Sequence, residues 1–106
     1  MLEETVATAK VFSDANRIRI LALLQREGNL CVCALCDTLQ LSQPLVSRHL
    51  KQMRQAKLVT SHQQGKWTLY GINTTHPLYN HCRPMLENII PHLPPLIECA
   101  RLNHGS

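Results

Sequence analysis

The sequence predicts a mainly α domain closed by a β-hairpin, a winged helix-turn-helix of order α-α-α-α-β-β-α, and three observations carry that reading. Apolar residues recur at helical spacing through four successive segments up to Ala56. Leu41 alone separates the end of the third segment from Ser42, the cap of the fourth, which is the short join of a helix-turn-helix. From Leu58 the period drops to two around a glycine-containing turn, so a hairpin follows the helices as a wing.

Taken in order, Leu2, Val6, Ala9 and Phe12 mark the apolar face of a first amphipathic helix. Ser13 or Asp14 offers an oxygen to cap the second. Ile18, Leu21 and Leu24 form its inner stripe, widened by Ile20 and Leu23, and Gly28 ends it. Asn29 and Leu30 are read as a short extended link. The third helix spans Cys33–Gln40, with Leu35 and Leu39 turned inward. Ser42 caps the fourth, and Pro44 is tolerated in its first turn, where the missing N–H has no intrahelical partner. That helix runs from Gln43 to about Ala56. Val46, Leu50 and Met53 face the core; Gln43, Ser47, Arg48, Lys51 and Arg54 fall on outer faces. Leu58–His62 and Trp67–Ile72 are the hairpin strands around Gln63-Gln64-Gly65-Lys66, with Gly65 supplying a positive φ. Pro77 starts a last long helix along Leu78, Cys82, Met85, Ile89 and Leu93, which Pro84 should kink or interrupt. Leu96–Leu102 is expected as a short final helix, and Arg101–Ser106 as a frayed end.

Composition bounds the function. A chain of 106 residues suits one domain, here residues 1–106 as a single DNA-binding unit. It is 44% hydrophobic and only 17% charged, which points to surface buried in a partner, most simply a second copy. No run is long and apolar enough for a membrane and no signal peptide opens the chain, so a cytoplasmic, membrane-free protein is expected. The net charge is +4, and it is unevenly placed: Thr38 to Leu86 contains no Asp or Glu but carries Arg48, Lys51, Arg54, Lys57, Lys66 and Arg83. That stretch points to a polyanion partner. Five cysteines, three of them at Cys31, Cys33 and Cys36, suit metal or redox chemistry better than a disulfide framework. An enzyme is not expected. No cysteine is followed six positions later by the Arg of a C-x5-R phosphate loop, and no Gly-rich loop is present.

The fourth helix has the chemistry of a major-groove reader. Gln43 can pair with adenine, Arg48 with guanine, and Ser47 with a base or a phosphate. His49 is placed at a phosphate or as a brace, and Lys51, Lys57 and Lys66 neutralise phosphates, Lys66 from the wing. Trp67 is read as wing packing.

The segments Asp14–Leu21 (D-A-N-R-I-R-I-L), Leu30–Cys36 (L-C-V-C-A-L-C), Ser42–Leu50 (S-Q-P-L-V-S-R-H-L) and Gln64–Trp67 (Q-G-K-W) together resemble the arsenic-responsive repressor (ArsR/SmtB) family of winged-helix proteins. The resemblance runs from about Ala9 to Ile72, and the cysteine segment is similar to that of the arsenite- and antimonite-sensing branch. It implies a homodimer on double-stranded operator DNA that leaves when As(III) or Sb(III), the inducer, is bound by Cys31, Cys33 and Cys36. It implies dimerisation through the first and last helices, about 3–12 and 78–90. The tail holds His76, His81 and His92 without the acidic partners of the zinc-sensing branches, and Cys82 and Cys99 fall outside the motif. No organic cofactor is implied. A symmetric dimer calls for an inverted-repeat operator.

Trivalent arsenic is soft and takes three sulfurs in a pyramid, which selects cysteine. Cys33 and Cys36 share one helix face, with Cβ atoms about 5–6 Å apart. Cys31 can join them only if it lies off the helix or the first turn unwinds. The same sulfurs could instead sense Cd, Pb or Zn, or redox state through Cys33 and Cys36.

Overall fold

The computed structural model describes residues 1–98. It runs α1 (Leu2–Val11), α2 (Ala15–Glu27), β1 (Leu30–Cys31), α3 (Val32–Leu39), α4 (Gln43–Gln55), β2 (Val59–Gln64), β3 (Trp67–Ile72), α5 (Tyr79–Ile89) and a 3-10 turn at Ile90–His92. This is a winged helix-turn-helix: α3 and α4 are the helix pair, and β2 and β3 are the wing. Among the described residues no helix is long and apolar enough to cross a membrane.

The core forms where helical stripes converge. Ile20, Leu21, Leu23 and Leu24 of α2 meet Leu35 of α3, Val46, Leu50 and Met53 of α4, and Leu86 of α5, all essentially inaccessible to water. Asp14 caps α2 by accepting hydrogen bonds from the N–H groups of Asn16 and Arg17 at 2.8 and 3.1 Å. Ser42 caps α4 by accepting from the N–H of Leu45 at 3.4 Å. Side-chain caps of this kind satisfy donors that the first turn leaves unpaired.

Several expectations need correction. The first-helix apolar face splits: Leu2 and Val6 are 76% and 46% exposed, Phe12 packs against the core, and the buried positions are Thr8 and Val11. The link Asn29-Leu30 becomes a strand at Leu30–Cys31, paired antiparallel to β3 at Tyr70 and Leu69, so the sheet has three strands in the order β1-β3-β2. Pairing within the wing extends to Gln64 opposite Trp67, which shortens the connection to Gly65-Lys66. Gly65 has φ 61°, the positive value expected of glycine in a two-residue hairpin turn.

The third helix ends one residue early. Gln40 is its C-cap in the left-handed region at φ 58°, ψ 47°, and its amide donates to the Asp37 carbonyl at 2.8 Å. Pro84 does not interrupt α5, which continues through it to Ile89. The bond it forfeits is the one to the carbonyl of Asn80, an exposed residue in the first turn, where solvent is at hand. The α5 stripe is also displaced: Cys82 and Leu86 are buried while Met85 is 48% exposed. No helix begins at Leu96; Leu93 to Glu98 run without regular structure. The remainder of the expected last helix, Cys99 and the frayed end lie outside the described residues.

Candidate thiol site and nucleic-acid interface

The cysteine segment straddles the junction of β1 and α3. Cys31 closes β1 and serves as the N-cap of α3, with φ −80° and ψ 164°. Its Sγ accepts the N–H of Ala34 at 3.4 Å, so Cys31 lies off the helix. Its backbone is tied to the wing through the Cys31–Leu69 pair. Cys33 and Cys36 lie inside α3 one turn apart, both half-buried, and Cys33 Sγ lies 3.7 Å from Asp37 Oδ2.

Cys31, Cys36 and Cys82 are free thiols, whereas Cys33 is disulfide-bonded. Cys33 and Cys36 are thus not bonded to each other in this structure. Burial pushes the Cys36 thiol up from its ordinary pKa, and the charges of Asp37 and Cys31 add to that. Burial alone raises Cys82.

Cys31, Cys33 and Cys36 line a cleft of about 380 Å³ whose other walls come from separate elements. Cys31, Val32, Cys33, Cys36 and Asp37 form one side; Gln43, the first residue of α4, and Trp67 and Thr68, at the root of β3, form the rest. The donor set of sulfurs with one carboxylate suits a thiophilic ion. Among the described residues, no three of the His, Cys, Asp and Glu side chains stand close enough to hold a metal ion. The donors are gathered in one cleft but do not converge on one point.

The α4 helix separates its two faces cleanly. Val46, His49, Leu50 and Met53 are buried, while Gln43, Ser47, Arg48, Lys51 and Arg54 are exposed. Lys66 sits exposed at the tip of the wing, and Lys57 is exposed just beyond α4 with φ 62°.

His49 departs from the DNA-facing set. At 4% exposure it is turned into the protein, with Nδ1 3.3 Å from Arg17 Nη1 and Nε2 3.8 Å from Asp14 Oδ1. A guanidinium only donates, so Nδ1 is the acceptor and the ring proton sits on Nε2, facing the carboxylate. His49 is therefore a brace.

Arg17, which sequence reasoning passed over, is the centre of that brace. It donates to the Val11 and Lys10 carbonyls at the end of α1, both at 3.0 Å, and to Gln52 Oε1 on α4 at 2.9 Å. The N–H groups of Arg17 and Asn16, on which Asp14 is seated, hold its carboxyl below the usual range. The signal for His49 was available, since it falls three positions after Val46 on the inner face. Arg17 had no such signal. Neither did Gly71, where a side chain would collide with the Asn29 amide.

Comparison with known proteins agrees with this architecture. A family model described as "Bacterial regulatory protein, arsR family" matches residues 14–61. The chain is 43% identical over 68 residues to the arsenic resistance transcriptional regulator ArsR1 of Pseudomonas putida, covering 64% of this chain and 53% of that protein. It is 41% identical over 70 residues to the arsenical resistance operon repressor of Escherichia coli, covering 66% of this chain and 60% of that protein. The match thus spans between half and two thirds of these relatives. Among solved structures, the transcriptional repressor PagR of Bacillus anthracis superposes with a TM-score of 0.70 at 29% identity, over 80% of this chain and 94% of that one. The chain belongs to the arsR family of bacterial regulatory proteins.

Proposed function

We propose that this chain is a transcriptional repressor that holds operator DNA as a homodimer and is released when As(III) or Sb(III) is bound by Cys31, Cys33 and Cys36. The observation that carries the reading is the shared cleft, in which the cysteine segment faces both the first residue of α4 and the root of the wing. A change of shape there cannot stay local. Cys31 is capped onto Ala34 and paired with Leu69. For three sulfurs to meet, the first turn of α3 must open or β1 must shift, and α4 and β3 border the same space.

Gln43, Ser47 and Arg48 take the base edges, and Lys51 and Lys66 the phosphates. The exposed apolar side chains Leu2, Val6 and Met85 on α1 and α5 are the surface a second copy would cover. Ligand works only through its unequal affinity for the two shapes, and a coupling of about 1–3 kcal/mol, roughly 5–150-fold, empties a moderately saturated operator.

A gel-shift assay on the DNA upstream of its own gene tests the reading, in reducing buffer so that Cys33 is available as a thiol. Binding without arsenite and release with it are expected, and the Cys31→Ser, Cys33→Ser, Cys36→Ser variant should bind and stay bound. If that variant is still released, the sensor assignment fails and the repressor assignment survives. A second reading, the same cleft sensing Cd, Pb or Zn, draws support from Asp37, whose carboxylate would add an oxygen donor beside the sulfurs. The same assay with those ions separates the two.

A further inference from the structure

Among the described residues, those after α5 turn back across the domain, and Ile97 reaches α3, the helix that carries Cys33 and Cys36. The 3-10 turn stops at Leu93, which is extended at φ −86°, ψ 149°, as a residue preceding proline must be. Pro94 and Pro95 then stiffen the return, so ordering it costs little chain entropy.

Three attachments hold the segment. The Pro94 carbonyl accepts a hydrogen bond from Arg26 Nη2 on α2 at 2.8 Å. Leu93 and Leu96 pack against the core. At the far end Thr38 Oγ1 accepts the N–H of Ile97 at 2.9 Å and donates to the Ile97 carbonyl at 3.4 Å. Thr38 is 2% exposed, so its hydroxyl has been taken out of water to make this link. A valine would pack there as well and make neither bond.

We propose that Leu93–Glu98 is a strap, fastened at Thr38, that holds α3 in its resting position and thereby sets how much ligand is needed to displace it. Helical geometry gives the strap its leverage. Thr38 lies two residues beyond Cys36, roughly 200° around the helix at 3.6 residues per turn. The fastening therefore grips the side of α3 away from Cys36, and any pull on α3 toward the cysteine cleft works against it. The strap also joins α3 to α5, so the sensing helix is tied to an element outside the helix-turn-helix.

The ligand half of this inference rests on the proposed thiol reading; the mechanical half does not. The test uses the full chain in reducing buffer with Thr38→Val, and Thr38→Ser as the variant that keeps the hydroxyl. In Thr38→Val, the arsenite concentration that half-releases operator DNA should fall at least about fivefold, the usual weight of one intramolecular hydrogen bond, here the shorter of the two that valine loses. Amide hydrogen exchange along α3 should quicken by a similar factor while α4 keeps its rate. Thr38→Ser should behave as wild type in both. Unchanged exchange in α3, or equal quickening in α3 and α4, overturns the strap. So does an unchanged half-release concentration in a protein that does respond to arsenite. A wild type that ignores arsenite sinks the thiol reading alone, and the exchange arm then decides the strap by itself.

Discussion

Helices α3 and α4 are neighbours in a single motif, yet they are held by different means. The α4 helix is 13 residues long, is capped by the Ser42 hydroxyl, and buries Val46, His49, Leu50 and Met53. It is braced from outside by Arg17 through His49 and Gln52. The α3 helix is eight residues long and is capped by a cysteine sulfur. Both helices run out into a left-handed non-glycine residue, Gln40 after α3 and Lys57 after α4, so they differ in length and at their starts, where sulfur is a weak acceptor beside a hydroxyl. The hold of α3 on its own start is the looser of the two. On the proposed function, α4 is the fixed rod that reads DNA and α3 the segment that ligand moves, one on either side of Leu41.

The largest test of this contrast is in the rod. Leu50→Ala, at a site with 1% exposure, should destabilise the fold by about 2–5 kcal/mol in denaturant titration. The triple cysteine-to-serine variant should lose far less, because a serine at position 31 can still cap α3. A comparable loss in both would erase the contrast.

Next in size is the exposed face of α4. Arg48→Ala should weaken operator binding by about 1–3 kcal/mol and relax base choice. Equal losses on operator and random DNA would show that Arg48 reads no base.

A smaller effect is expected at the cap of α2. Asp14→Ala should cost about 0.5–2 kcal/mol of stability at neutral pH. Because the folded protein holds this carboxyl below its ordinary range, its contribution is present above that range and is lost as pH falls through the lowered value. The deficit of the variant should therefore shrink in acid. A deficit that is constant with pH would mean that the charge of Asp14 does not matter.

The smallest effect sharpens the sensor side. The Cys36 thiol is raised by burial and then by Asp37, so it stays protonated to higher pH than a free cysteine, and the thiolate is the nucleophile. The rate of Cys36 alkylation in reduced protein should therefore climb at higher pH than for a free cysteine, and Asp37→Asn should move that dependence modestly toward lower pH. An unmoved rate profile in alkylation followed by mass spectrometry would detach Asp37 from the site.

What could be read in the sequence followed the same division. The α2 and α4 stripes were legible because they pack within the chain, so period and burial coincide at Leu21, Leu24, Val46, Leu50 and Met53. The α1 stripe has the same period but is only partly covered within the chain, since periodicity shows that a face is apolar but not which molecule covers it. The two residues of β1 are too few to show alternation. The turn at Gln40 carries neither the glycine nor the asparagine that normally marks a left-handed residue. Pro84 obeyed a general rule about helix interiors less than it obeyed its place near an exposed helix start.

The site was half legible. The cysteines at positions 31, 33 and 36 marked one wall of the cleft, but it also draws Gln43, Trp67 and Thr68 from two other elements, and no local pattern joins them. The Thr38 link is less visible still, as it spans 59 positions between a side chain and a backbone.

The central claim is that three sulfurs on a loosely capped junction close around one ion. X-ray absorption at the arsenic edge, on reduced protein loaded with one equivalent of arsenite, tests it directly. Three sulfur neighbours in the wild type, falling in each of Cys31→Ser, Cys33→Ser and Cys36→Ser, is the predicted result. Two sulfurs in the wild type, or three that survive the loss of Cys31, would contradict it.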